Sequence, residues 1–202
     1  MSLEKTIVSV PINLPKLEPD DWDRWWDIWK KYATPLKKTG VSPNQESGLH
    51  TGFDVFKIEK FSPVYKADYL DLKNIYPTLY DQIMALPVFL HGARFVLSGG
   101  DFPAHIDNFS PNWSIRSMFF CEDPVPQWYY TKTDNTGGRY LRLPKTTNWW
   151  AYRDGIIKHG TIFRKEYPKI ILQVFSDKET TDEFIKTQIN LFPDHQIEYD
   201  IG

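Results

Sequence analysis

Between residues 88 and 176, short apolar and aromatic runs alternate with turn residues. The runs are VFLHGARFVLSGG, DFPAHID, SIRSMFFCE, PQWYYTKT, DNTGGRYLRLP, TTNWWAYRD, GIIKHGTIF and KIILQVFS, set apart by Gly, Pro, Asn and Asp. Short strands at this spacing predict an antiparallel sandwich or barrel. The stretch Asp134-Asn135-Thr136-Gly137-Gly138 is a hairpin signal. In the last run, strand alternation puts Lys169, Ile171 and Gln173 on one face and Ile170, Leu172 and Val174 on the other. Both faces are largely apolar, which predicts a strand covered on both sides.

Helical periodicity brackets this region. In DWDRWWDIWKKY, Trp22, Trp25, Trp26 and Trp29 recur at i, i+3, i+4 and i+7. Asp20 or Asp21 can cap the segment and Pro35 ends it. The apolar stripe reads as a packing face rather than an aromatic substrate platform. Residues 40 to 65 carry Gly, Pro, Ser and Asn and read as irregular. Over 67 to 86, Leu70, Ile75, Leu79, Ile83 and Leu86 are roughly in helical phase, with Pro77 expected to kink or divide the helix and Pro87 to close it. A last helix is expected over about 179–192, capped by Thr180 or Thr181 and carrying Phe184, Ile185, Ile189 and Leu191. The organisation expected is one domain: a helical part over about 1–87, a β core over about 88–176 and a C-terminal helix.

Composition narrows the function classes. Aromatic residues reach 16%, with eight Trp, which favours strands. The net charge is −2 and no basic block stands out, so neither nucleic acid nor an anionic membrane is an expected partner. The stretch MSLEKTIVSVPINLP is too briefly apolar for a secretory leader, and no run approaches a spanning helix. Cys121 is the one cysteine, expected in the core, so no intrachain disulfide forms and a cytoplasmic location is expected. A metal site would then rest on His and carboxylate rather than thiolate.

The candidate chemistry lies in His105, Asp107 and His159. On a strand, His105 and Asp107 face the same side with Ile106 opposite. His159 comes from another strand. Two imidazoles and a carboxylate on one face of an octahedron leave three positions open, the facial triad of oxygen-activating iron(II) sites. With 5 His and 17 Asp in 202 residues, a His-x-Asp pair arises by chance about 0.4 times, so the pair alone is only a hypothesis. Its setting adds weight: Ser98-Gly99-Gly100 and Pro103 precede it, strand signals fill the interval to His159, and Lys169 opens the next strand ten positions after His159.

In these residues the chain resembles the iron(II)/2-oxoglutarate dioxygenase superfamily, whose pattern is His-x-Asp/Glu, some fifty residues, His, then a basic residue about ten on. The prolyl hydroxylase and aspartyl/asparaginyl hydroxylase branches are nearest in size and layout. The resemblance covers about residues 88 to 176. It implies a double-stranded β-helix, a jelly roll packed by helices. It implies Fe(II) on His105, Asp107 and His159, with 2-oxoglutarate as cosubstrate, its far carboxylate on Lys169. The implied reaction is hydroxylation of an unactivated C–H bond on a small-molecule, peptide or protein substrate, releasing succinate and carbon dioxide. Asp107 favours hydroxylation over halogenation, since the halogenating members lack the carboxylate.

Other residues were weighed beside these. Arg164 rivals Lys169 as anchor, but it sits in the turn-like run Arg164-Lys165-Glu166. Arg116 is read as facing either the cosubstrate, a substrate carboxylate or the surface. Tyr129 or Tyr130 can reach the cosubstrate from a strand, and Tyr129 is taken as the contact. Trp149 and Arg153 are expected at the barrel mouth, against substrate. His50, His91 and His195 read as incidental. The alternatives are a cupin-like metal enzyme that does not use 2-oxoglutarate, against which stands the lack of His-x-His, and a non-catalytic jelly-roll binding module. Oligomeric state is not legible.

Overall fold

The tryptophan stripe finds its partner in the wall of a sheet. The structure, a computed structural model, describes residues 5–38, 50–56, 65–107, 113–123 and 126–200. Its strands are β1 Lys5–Pro11, β2 Thr34–Pro35, β3 Lys37–Lys38, β4 Thr51–Asp54, β5 Tyr65–Lys66, β6 Leu90–Leu97, β7 Phe102–His105, β8 Trp113–Cys121, β9 Trp128–Thr131, β10 Arg139–Tyr140, β11 Trp149–Arg153, β12 Lys158–Thr161, β13 Lys169–Ser176 and β14 Ile197–Asp200. The helices are α1 Trp22–Tyr32, α2 Leu72–Ile75, α3 Pro77–Met84 and α4 Lys178–Gln188. No described helix is long and apolar enough to cross a membrane.

A large antiparallel sheet runs β14-β1-β11-β8-β13-β6-β4-β2, and a small one runs β10-β9-β12-β7. From β6 to β13 the chain passes back and forth between them: β6, β8, β11 and β13 lie in the large sheet, and β7, β9, β10 and β12 in the small one. That strand order is a double-stranded β-helix, so the fold is mainly β with helices on the flank. The turn between β9 and β10 holds Asn135 and Gly137 at φ 66, and the Asp134 carboxylate accepts the Thr136 N–H at 2.9 Å.

The outer face of the large sheet carries Phe95, Phe119 and Ile170, and it is covered by the helices. Asp21 starts α1 by accepting the Arg24 N–H at 3.0 Å, with Lys30 and Lys31 in the last turn. Trp25, Ile28 and Trp29 are buried. The Trp25 ring meets Phe95 at 4.9 Å and Phe119 at 4.7 Å. The stripe is therefore a packing face. The inner face of the same sheet, with Trp150, Tyr152 and Ile171, meets Trp128 and Tyr130 of the small sheet in a second cluster.

Several boundaries differ from the sequence reading. Pro77 divides the 67–86 segment: α2 stops at Ile75, and Pro77 opens α3, where no N–H is required. The last helix runs over 178–188 rather than 179–192. Asp177, not a threonine, caps it, its carboxylate accepting the Thr180 N–H at 2.9 Å. Thr181 turns its hydroxyl to the Asp177 carbonyl at 2.5 Å, and Leu191 lies beyond the helix, exposed. The first 87 residues are not only helical. β1 inserts between β14 and β11, and β4 extends the sheet beyond β6. The irregular stretch expected over 40–65 lies largely outside the described residues; its described part forms β4. There Gly52 is essential, because an added Cβ would sit 2.0 Å from the Phe95 carbonyl.

Candidate metal centre

β7 and β12 are neighbours, and their register sets His105 opposite His159. The two rings lie 4.5 Å apart. Asp107 follows just past the end of β7, where its N–H is held by the Asp154 carbonyl at 3.1 Å. Its carboxylate reaches both rings: Oδ1 is 3.4 Å from His105 Nε2, and Oδ2 is 3.4 Å from His159 Nε2. One donor atom from each of the three residues lies within 4.8 Å of the others. Neighbouring groups orient both rings. His105 Nδ1 lies 2.7 Å from the Pro103 carbonyl, which fixes Nδ1 as the donor and leaves the Nε2 lone pair toward Asp107. His159 is buried, stacked on Trp128 at 5.6 Å and 11°. The Tyr152 hydroxyl lies 3.4 Å from its Nε2. Gly160 lets the strands close on the site: a Cβ there would stand 2.7 Å from the Phe102 carbonyl and the Tyr129 ring.

Burial pushes the Asp107 carboxyl up, but hydrogen bonds to His105 and His159 outweigh it and hold the group well below the usual carboxylate range. The bond to Asp107 raises the His105 ring, against its burial. Burial depresses His159 despite the same carboxylate. The cluster thus gathers negative charge and imidazole lone pairs at one point, where a dication would take the place of the imidazole protons. Two nitrogens and one oxygen, without thiolate, fit a divalent transition metal of the iron(II) kind.

Lys169 opens β13 on the inner face. It is 1% exposed, and its ammonium has no hydrogen-bond partner. Burial brings its pKa down to about 8, partly offset by Cys121, Asp101 and Asp123. A buried, unpartnered cation is costly, and an anion relieves the cost. Arg164, the rival anchor, is taken up by Asp123 at 3.3 Å. Arg116 points inward rather than to the surface. It stands beside Gln173 of β13 and is buried, with Nη1 donating to the Ile115 carbonyl at 2.9 Å and Nε without a partner.

Three expected contacts lie elsewhere. Tyr129 faces outward, its ring 6.0 Å from Tyr140, while Tyr130 takes the inner position and its oxygen accepts from Ser9. Trp149 turns to the helix layer, where its indole N–H donates to the Pro15 carbonyl at 3.0 Å. Arg153 follows the parity of Trp149 and lies over Trp113 at 5.0 Å. On that strand the inward residues are Trp150 and Tyr152. The aromatic pairs in the sequence revealed a strand but not its parity. Residues missed by the sequence reading include Trp128 and Tyr152 beside His159, and Asp154, which accepts from Ser114 and is pushed up to about 6 by burial. His50 is no loose loop residue: it is buried and stacked on Phe102 at 4.0 Å. No regular spacing links it to the triad. His91 and His195 lie apart from the triad, at β6 and at the 3-10 turn Pro193–His195.

Two solved structures are similar to this one. A prolyl hydroxylase from Trichoplax adhaerens, in complex with a peptide fragment of the oxygen degradation domain of hypoxia inducible factor, matches over 90% of this chain and 87% of its own. The identity is 6% and the TM-score 0.46. A prolyl-4-hydroxylase from Pseudomonas putida matches over 87% of this chain and 94% of its own, at 12% identity and a TM-score of 0.43. No family model matches the chain, and no curated protein matches it.

Proposed function

We propose that this chain is a non-haem iron(II), 2-oxoglutarate-dependent dioxygenase that hydroxylates a C–H bond of a small-molecule, peptide or protein substrate. The observation that carries the reading is the meeting of His105 Nε2, His159 Nε2 and the Asp107 carboxylate, residues far apart in sequence, inside one double-stranded β-helix. Iron(II) and 2-oxoglutarate bound together would supply the dioxygen chemistry, in which the 2-oxo acid loses carbon dioxide to become succinate while substrate gains a hydroxyl.

The chain's own residues supply binding and orientation. His105, Asp107 and His159 would hold the metal from one side and leave the other open to ligands. The Pro103 carbonyl keeps the His105 tautomer that binds through Nε2. Trp128 and Tyr152 hold the His159 ring in place. Lys169 neutralises the far carboxylate of the cosubstrate, and that carboxylate gives its ammonium the partner it lacks.

The test is turnover of 2-oxoglutarate by the purified protein with iron(II) and ascorbate. Succinate is expected, even uncoupled from substrate. A protein that neither binds 2-oxoglutarate nor forms succinate overturns the proposal.

A further inference from the structure

The interior around Lys169 is built by more than the barrel strands. β4 runs beside β6 with Thr51 opposite Leu97, and Leu97 stands opposite Ile170 of β13. One residue further along, His50, Ser98 and Lys169 fall side by side across three strands. Opposed residues of antiparallel neighbours point to the same face, so the row faces the interior. All three are buried. The row is tied by backbone: the Ser98 N–H donates to the Lys169 carbonyl at 3.2 Å, and the Gly99 N–H donates to His50 Nδ1 at 3.3 Å. The His50 ring lies flat on Phe102 of β7, 11° from parallel, and so bridges the two sheets three residues before His105.

This geometry fixes the imidazole's chemistry. Nδ1 accepts, so Nε2 carries the ring proton. Burial, and then the charge of Lys169, brings the ring's pKa down to about 4. Near neutral pH it is an uncharged N–H donor. The need for such a donor follows from the anchor's identity. An arginine fork satisfies both oxygens of a carboxylate, whereas a lysine ammonium is a point charge that leaves orientation open.

We propose that His50 is a second anchor for the far carboxylate of 2-oxoglutarate, its Nε2–H donating to the oxygen that Lys169 leaves, so that the site selects a dicarboxylate over 2-oxo acids with an uncharged tail. This rests on the dioxygenase reading above and adds a residue from outside the barrel strands.

The test is calorimetric titration of the zinc(II)-loaded protein, which cannot turn over. One titrant is 2-oxoglutarate; the other is 2-oxobutyrate, which has the same chelating head and no far carboxylate. His50→Phe, which keeps the stack on Phe102, should weaken 2-oxoglutarate about tenfold and leave 2-oxobutyrate unchanged. His50→Gln, which keeps an acceptor for Gly99 and an N–H, should hold 2-oxoglutarate within about twofold. In the unaltered protein, the His50 Nε2–H proton resonance should move on adding 2-oxoglutarate and stay put with 2-oxobutyrate, a readout that needs no variant to fold. Unchanged 2-oxoglutarate affinity in His50→Phe, parallel loss of both acids, or an unmoved resonance overturns the second anchor alone. An unaltered protein that binds zinc(II) but no 2-oxoglutarate overturns the dioxygenase reading, and the anchor with it.

Discussion

Replacing Lys169 by Met should make the ligand-free protein more stable. The side chain is 1% exposed with an ammonium that has no hydrogen-bond partner. Its pKa falls from 10.5 to about 8 on burial, which at about 1.4 kcal/mol per pH unit corresponds to a penalty of about 3 kcal/mol at neutral pH. Methionine fills a similar volume without the charge and removes that penalty. At roughly 2–4 °C per kcal/mol for a chain of this size, Tm should rise by roughly 6–12 °C at pH 7. The sign with pH follows from linkage. Below about pH 8 both folded and unfolded lysine are protonated, and the folded state bears the full penalty. Between about 8 and 10.5 the folded state has lost the proton that the unfolded state still binds, so the penalty fades as pH rises. The gap in Tm between variant and parent should therefore close over that window, as followed by calorimetry in matched buffers. 2-Oxoglutarate with a divalent metal should stabilise the parent and leave the variant unmoved. A variant less stable than its parent at pH 7, or a gap that stays constant to pH 10.5, would refute the reasoning, since the ammonium would then be paired within the fold.

Other outcomes follow from the same structure. Affinity for 2-oxoglutarate should fall about tenfold per pH unit above about 8, where the free site's lysine is neutral; titration calorimetry from pH 7 to 10 checks this. Asp107→Ala should abolish iron binding, seen as loss of metal after dialysis, because the two imidazoles alone keep no anionic partner. Gly160→Ala should drive β7 from β12, since the added carbon meets a backbone carbonyl at 2.7 Å, and should lower metal affinity more than it lowers Tm. Trp25→Ala should cost about 3–5 kcal/mol by denaturant unfolding, for a fully buried ring among Phe53, Phe95 and Phe119.

The barrel strands and the His-x-Asp pair were legible because period-two alternation and turn residues act locally. The face taken by β13 was legible too: Ile171 points inward, while Ile170 and Leu172 face the helices. Parity failed where both faces are aromatic. Trp149-Trp150 and Tyr129-Tyr130 are chemically alike in each position, so only tertiary packing decides which ring turns in. β1 and β4 were missed because each is short and gains its stability from a sheet edge supplied by distant residues. His50 was dismissed for the same reason: its neighbours, Gly99 and Phe102, lie about fifty residues away. The C-terminal helix was shifted because Asp177, a stronger cap than threonine, stands just upstream of the threonines.

The placement of β1 and β4 on either side of the barrel strands bears on how the protein can be handled. A fragment holding only residues 88–176 would lose the strand that pairs with β11 and the one that pairs with β6, leaving two raw hydrogen-bonding borders. It would also bare the phenylalanine-rich wall that α1 shields. Such a piece would be expected to associate through those borders and precipitate. Trimming for crystallisation or display is therefore better confined to surface turns such as 132–138, leaving the upstream 87 residues intact.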